Sequence, residues 1–211
     1  MADKLSIFNG ALAYLKERRL SSLEEEIETR YVLDDIWASG NIPDFLLEEA
    51  DWAFARKSVK LEAVNDREAA FGYRNIFQIG EDVARITSIS SDEYYHRPLV
   101  SYQLDGNQIV SDYIDIYIRY VSYERGRDLG NWTRSFADLA ERYLAYRAAG
   151  RLGEISGAEM AAYERSYEKA LNNAIAHTSV AEPTQFLPAG RWRQARVSSR
   201  FDSGDNRHGR T

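Results

Sequence analysis

Leu5, Phe8, Leu12 and Leu15 recur at steps of three and four residues. That spacing lays one apolar stripe along a helix. Ser22 followed by Glu25 has the form of a capping box, which predicts that a second helix starts there. Ile27, Val32, Leu33, Ile36 and Trp37 supply its apolar side, and Gly40 closes it. Pro43 and Asp44 open a third short helix through Leu46, Leu47, Ala50 and Ala53, anchored by Trp52 and Phe54.

The pattern changes near Arg56, where the period shortens towards two. In DYIDIYIRYVSY at 112–123, Ile114, Ile116, Ile118 and Tyr120 alternate with Tyr113, Asp115, Tyr117 and Arg119. Strict alternation of this kind predicts a strand with one buried face. Asp105-Gly106 lies between two apolar runs and predicts a hairpin whose central residues take positive φ. Further strands are predicted at 58–61, 73–77 and 83–89. Helical spacing returns with Trp132, Phe136, Leu139, Tyr143, Leu144 and Ala148, in a helix that ends near Gly150–Gly153. Ser156 and Glu159 cap a last helix carried by Met160, Tyr163, Tyr167, Leu171 and Ala174.

The expected fold class is α+β. It is mainly an α-helical bundle with an inserted small antiparallel β subdomain and an extended C-terminal tail. Residues 1–55 form the first part of the bundle, 56–124 the inserted subdomain, 125–180 the second part, and 181–211 a basic arm. The flanking helices are too few and short to fold separately, which is why the sheet reads as an insertion.

Composition narrows the class. The chain has 211 residues, 44% of them hydrophobic and 28% charged, as expected of a folded domain. It has no cysteine, which removes disulfides, thiolate metal sites and a thiol nucleophile. No apolar run reaches the roughly 18 residues a spanning helix needs. The N-terminal stretch lacks a signal peptide's continuous apolar core and reads as mature protein. The net charge of −6 is uneven: residues 1–55 carry −7, 56–124 carry −3, 125–180 carry +1, and 181–211 carry +3. An acidic body with a basic tail implies two surfaces with different partners.

Catalytic motifs are missing from the sequence. It contains no Walker loop, GxGxxG, GxSxG or HExxH. Asp92, Glu93 and His96 are metal-ligand types, yet their spacing matches no closed ligand set, and a polar turn ahead of Pro98 accounts for them. Asp34 and Asp35 sit about 100° apart on a helix and do not converge. Glu24, Glu25, Glu26 and Glu28 suit the first turns of a helix, and His177 suits the end of one. Neither metal nor cofactor is expected.

The tail carries the strongest signal outside the core. Phe186, Leu187, Trp192 and Phe201 have no periodic face of their own, and Arg191, Arg193, Arg196 and Arg200 interleave with them. Trp and Arg dominate interface energies. An arm that folds onto another protein fits best. Single-strand nucleic-acid binding is the competing reading, and the acidic body argues against it.

Taken in order, these segments resemble the tail tubular protein A family, the head-to-tail adaptors of short-tailed bacteriophages. The resemblance is carried by LSIFNGAL at 5–12, ERRLSSLEE at 17–25, VLDDIW at 32–37 and WAFARKSV at 52–59. It continues through FGYRNIF at 71–77, SDEYYHRPL at 91–99, IYIRYVS at 116–122 and NWTRSFADLAERYLAYRAAGRL at 131–152. PTQF at 183–186 and PAGRW at 188–192 close the series. The combination is specific where single pieces are not.

The resemblance implies a structural virion protein of the tail or neck, made in the host bacterial cytoplasm and not an enzyme. Such proteins form rings, usually of twelve copies, between portal and tail nozzle, and double-stranded DNA passes through the lumen without being held. It implies a portal-binding arm, here Phe186, Arg191, Trp192, Arg193 and Arg196. The expected nozzle or subunit contacts are Tyr94, Tyr95, Tyr113 and Tyr117. The alternative from the enzyme class is a tail-associated polysaccharide or cell-wall hydrolase, suggested by the abundance of carboxylates and aromatic rings.

Overall fold

The computed structural model describes residues 2–64, 72–153 and 155–179. Among them are six α-helices and six strands: α1 Lys4–Leu15, α2 Glu28–Ser39, α3 Ile42–Glu49, β1 Arg56–Glu62, β2 Asn75–Gln78, β3 Val83–Ser90, β4 Gln103–Asp105, β5 Gln108–Ser111, β6 Asp115–Ser122, α4 Tyr123–Arg127, α5 Arg134–Leu152 and α6 Gly157–Ser179. The strands form two antiparallel sheets, ordered β1-β6-β3 and β2-β5-β4.

The fold is therefore mixed α/β, and the expectation of a helical bundle carrying an inserted β subdomain is corrected. The reason lies in how the core closes. Helix α5 buries Phe136, Leu139, Ala140, Tyr143, Leu144, Ala145 and Ala148 against α1, α2, α3 and α6. That core is completed by Val121 of β6 and by Trp52 and Ala55 ahead of β1. A second core lies between the sheets, where Phe77 and Ile109 of one meet Ile89, Ile116, Ile118 and Tyr120 of the other. Burying each such large apolar side chain contributes about 1.5–3 kcal/mol.

Local sequence explains most boundaries. Asp3 caps α1 and exchanges hydrogen bonds with Ser6. Ser156 and Glu159 exchange bonds the same way ahead of α6. Ser22 and Glu25 do not start a helix. Glu25 turns back to the Ser21 amide and Arg18, closing a turn, and α2 starts at Glu28 instead. Strand β6 buries Ile116, Ile118 and Tyr120 as the alternation requires, but Ile114 lies before the strand and is exposed. The hairpin is shifted by one residue. Asp105 pairs with Gln108, so Gly106 and Asn107 form the loop. Of these two only Gly106 has positive φ, at +56°. That is the pattern of a type II′ turn, which places glycine first.

A polar seam joins sheets to helices. The Asp82 carboxylate accepts from Ser122 Oγ at 2.8 and 2.9 Å, from the Glu124 amide at 2.7 Å and from Lys57 Nζ at 2.9 Å. Arg127 of α4 forks onto the buried Asp44 of α3. Arg85 of β3 donates to the Glu48 and Glu49 carbonyls at the end of α3, where a cation also suits the helix dipole. Trp132 Nε1 donates to the Gly126 carbonyl at 2.6 Å, and Gly126 itself lies against Leu47.

Candidate contact surface

The site expectations fall on two regions. The arm residues Phe186, Arg191, Trp192, Arg193 and Arg196 lie outside the described residues. The four tyrosines lie within them and occupy unlike environments. Tyr94 is 70% exposed and Tyr113 is 44% exposed, whereas Tyr95 is buried and Tyr117 is half-buried on β6.

The 91–99 loop is held by its own polar groups. Asp92 Oδ1 accepts from the Tyr94 and His96 amides at 2.9 and 3.0 Å. Ser90 Oγ donates to the Arg97 carbonyl at 2.9 Å, and Ser90 pairs with Pro98 in an isolated bridge. Burial would raise the Asp92 carboxyl, but the amides of His96, Arg97 and Tyr94 outweigh it and hold it below its ordinary value. This carboxylate is committed to closing a turn. Among the described residues no group of three or more metal-ligating side chains gathers.

Tyr95 takes a left-handed backbone with φ +60°, which turns its ring inward beneath the Arg119 guanidinium at 4.3 Å. That inversion throws Tyr94 and His96 outward, their rings stacked with centroids 5.9 Å apart. A hydrogen bond to Glu93 raises the Tyr94 hydroxyl's pKa, so Tyr94 presents a neutral phenol.

Beyond the loop, residues 100–107 are all exposed. Val100 and Tyr102 precede β4, and Leu104 lies on it. They are 92%, 37% and 52% exposed, and Ile114 nearby in the chain is 78% exposed. Among the described residues β4 is an edge strand. Ser111 Oγ, donating to the Ser101 carbonyl at 3.1 Å, ties the ribbon to β5. An exposed apolar strip on an edge strand is a surface for contact with another chain. Val100 and Leu104 escaped the sequence reading because an alternating run looks the same whether a second layer covers it or not.

The carboxylates weighed for acid–base chemistry are distributed. Asp34 pairs with Lys4 and Arg30, and Asp35 with Arg151. An open cleft of about 640 Å³ lies beside the start of α5 and the end of α6, lined by Phe54, Thr133, Arg134, Asp138, Asn173 and His177 among others. Glu141, whose carboxyl is pushed up to about 6 chiefly by burial, stands one turn from Asp138 but outside that lining. Of the two carboxyls, Asp138 lines that cleft and Glu141 does not.

No protein-family model matches this chain, and no curated protein matches it.

Proposed function

We propose that this chain is a head-to-tail adaptor of a short-tailed bacteriophage. It is a structural virion protein that closes into a ring between portal and tail nozzle and lines the channel through which DNA leaves. The ring is dodecameric, and its subunits are made in the host cytoplasm before joining the neck. The role is mechanical and not enzymatic.

One observation carries the reading beyond the serial sequence resemblance: large apolar side chains stand exposed on a ribbon paired to β5, on an acidic body. A ring requires two unlike surfaces that meet head to tail and close. The 94–104 strip, with Tyr113 and Ile114, supplies one such surface. Residues 1–180 carry −9 against +3 in 181–211. Lys and Arg side chains that neutralise phosphates add affinity by releasing counterions, and an acidic lumen avoids that drag on a departing genome. The cationic, Trp-bearing arm would grip the portal, and small gains per copy multiply around a ring.

Deleting residues 181–211 tests the arm. Portal rings mixed with the full chain should retain it on a sizing column, and portal affinity should fall at least tenfold for the truncated chain. Unchanged affinity would remove the arm from this account.

A further inference from the structure

Unlike polar groups stand without partners at the two ends of α5. Beside its start lies the 640 Å³ cleft, whose apolar lining is Ala53, Phe54 and Ala170. Thr178 Oγ1 of α6 accepts from the Ala53 amide at 3.0 Å and ties two of its walls together. Asp138, the carboxylate of that lining, is engaged by the Tyr14 hydroxyl at 2.7 Å and by Arg142 Nε at 3.0 Å. The exposed side chains of Arg134 and His177 have no ion-pair or hydrogen-bond partner among the described residues. What the cleft offers a ligand is therefore donors over an apolar base.

The other end of α5 offers carboxylates. Glu25 closes its turn on the Ser21 amide and Arg18, which leaves Glu24 and Glu26 exposed on either side of it. Their carboxylates, and that of Glu28 at the start of α2, have no partner among the described residues. Glu28 shares an open hollow with Arg151 near the end of α5, and Glu24 lies beside Lys4 and Leu5 at the start of α1. Helix α1 runs antiparallel to α5, with Tyr14 at Asp138 and Gly10 at Glu141, so its start also lies towards the end of α5. The 19 residues of α5 span about 28 Å. The acidic turn therefore cannot reach the cleft of its own copy.

We propose that the cleft takes the acidic turn of a second copy, with Glu24 and Glu26 received by Arg134 and His177. Complementary groups at opposite ends of one body meet only between copies, and the contact is head to tail, the kind that can close into a ring. The inference rests on the ring of the adaptor reading and adds to it a contact separate from the 94–104 ribbon. Such rim charges steer approach and fix register, and salt screens them.

The chain has no cysteine, so single thiols can be placed cleanly. Glu28→Cys and Asn173→Cys variants of the full chain are mixed in equal amounts and joined by a short thiol cross-linker, with and without portal. Random collision gives mixed dimers no more often than like dimers. Docking should favour mixed dimers by about fivefold, the size of two exposed ion pairs. Adding Arg134→Glu to the Asn173→Cys chain should return the yield to random, and adding Glu24→Lys with Glu26→Lys to its partner should restore the excess. Random yields throughout would overturn the contact, as would an excess that Arg134→Glu leaves unchanged. An excess that persists in about 1 M salt would overturn it without recourse to the charge variants. Portal binding is read separately: a chain retained on portal with random yields refutes this contact and leaves the adaptor reading standing, whereas a mixed excess without retention supports the contact while that reading fails.

Discussion

Replacing Asp82 by alanine removes the acceptor on which sheet and helix meet. In the wild type, this carboxylate receives the hydroxyl of the fully buried Ser122, the Glu124 amide at the start of α4, and the Lys57 ammonium. Each hydrogen bond to a charged acceptor contributes about 1.5–3 kcal/mol in mutational series. The Asp82 side chain keeps 29% of its surface exposed, so water can replace part of what is lost. A net destabilisation of about 3 kcal/mol is expected, concentrated on Ser122 and Glu124, because Lys57 retains Glu124 as a partner. For a domain of this size, that lowers Tm by about 6–12 °C. The assay is thermal unfolding followed by circular dichroism at several pH values. Burial raises the Asp82 carboxyl, but the Glu124 amide, Lys57 and Ser122 pull it lower still, so its folded pKa lies below the ordinary value. Its contribution is present above the unfolded value of 3.8 and is lost as the pH falls through the folded one. The gap between wild type and variant should therefore be full at neutral pH and close in strong acid. A Tm within about 1 °C of wild type at pH 7, or a gap indifferent to pH, would refute the reasoning.

Two further substitutions probe other parts of the structure. Gly126→Ala places a Cβ 2.4 Å from both Leu47 methyl carbons and should cost about 1–3 kcal/mol, read as a lowered denaturant midpoint. Leu104→Glu, on the exposed ribbon, should leave the melting temperature of the free chain within about 2 °C of wild type while abolishing ring formation on portal, a separation that size-exclusion chromatography and thermal unfolding together can read.

Elements defined by local pattern were legible in the sequence. The alternation of β6, the stripe of α5, and the capping box ahead of α6 all match the structure, because each depends on residues within a few positions. The Ser22–Glu25 pair misled because the same residue types can close a turn, and here Glu25 finds Arg18 and the Ser21 amide. The division of six strands into two sheets was not legible. It depends on pairings such as Asn75 with Ser111 and Arg56 with Val121, which no local signal specifies. The polar seam was hidden for the same reason, since Asp44 and Arg127 are 83 residues apart in the chain. Of the four tyrosines expected at a contact surface, residue type alone could not tell the outward Tyr94 from the inward Tyr95. A single left-handed backbone position separates them. The run Val100–Leu104 was readable as one arm of the hairpin, but only Gln103–Asp105 forms a strand, and its exposure was not readable.

Electron microscopy of the purified full-length chain mixed with portal tests the central claim most directly. The adaptor account predicts a closed ring stacked coaxially on the portal, with a channel wide enough for duplex DNA and the 94–104 strip buried between neighbouring subunits. Portal particles without an added ring, at concentrations where the chain is in excess, would contradict it.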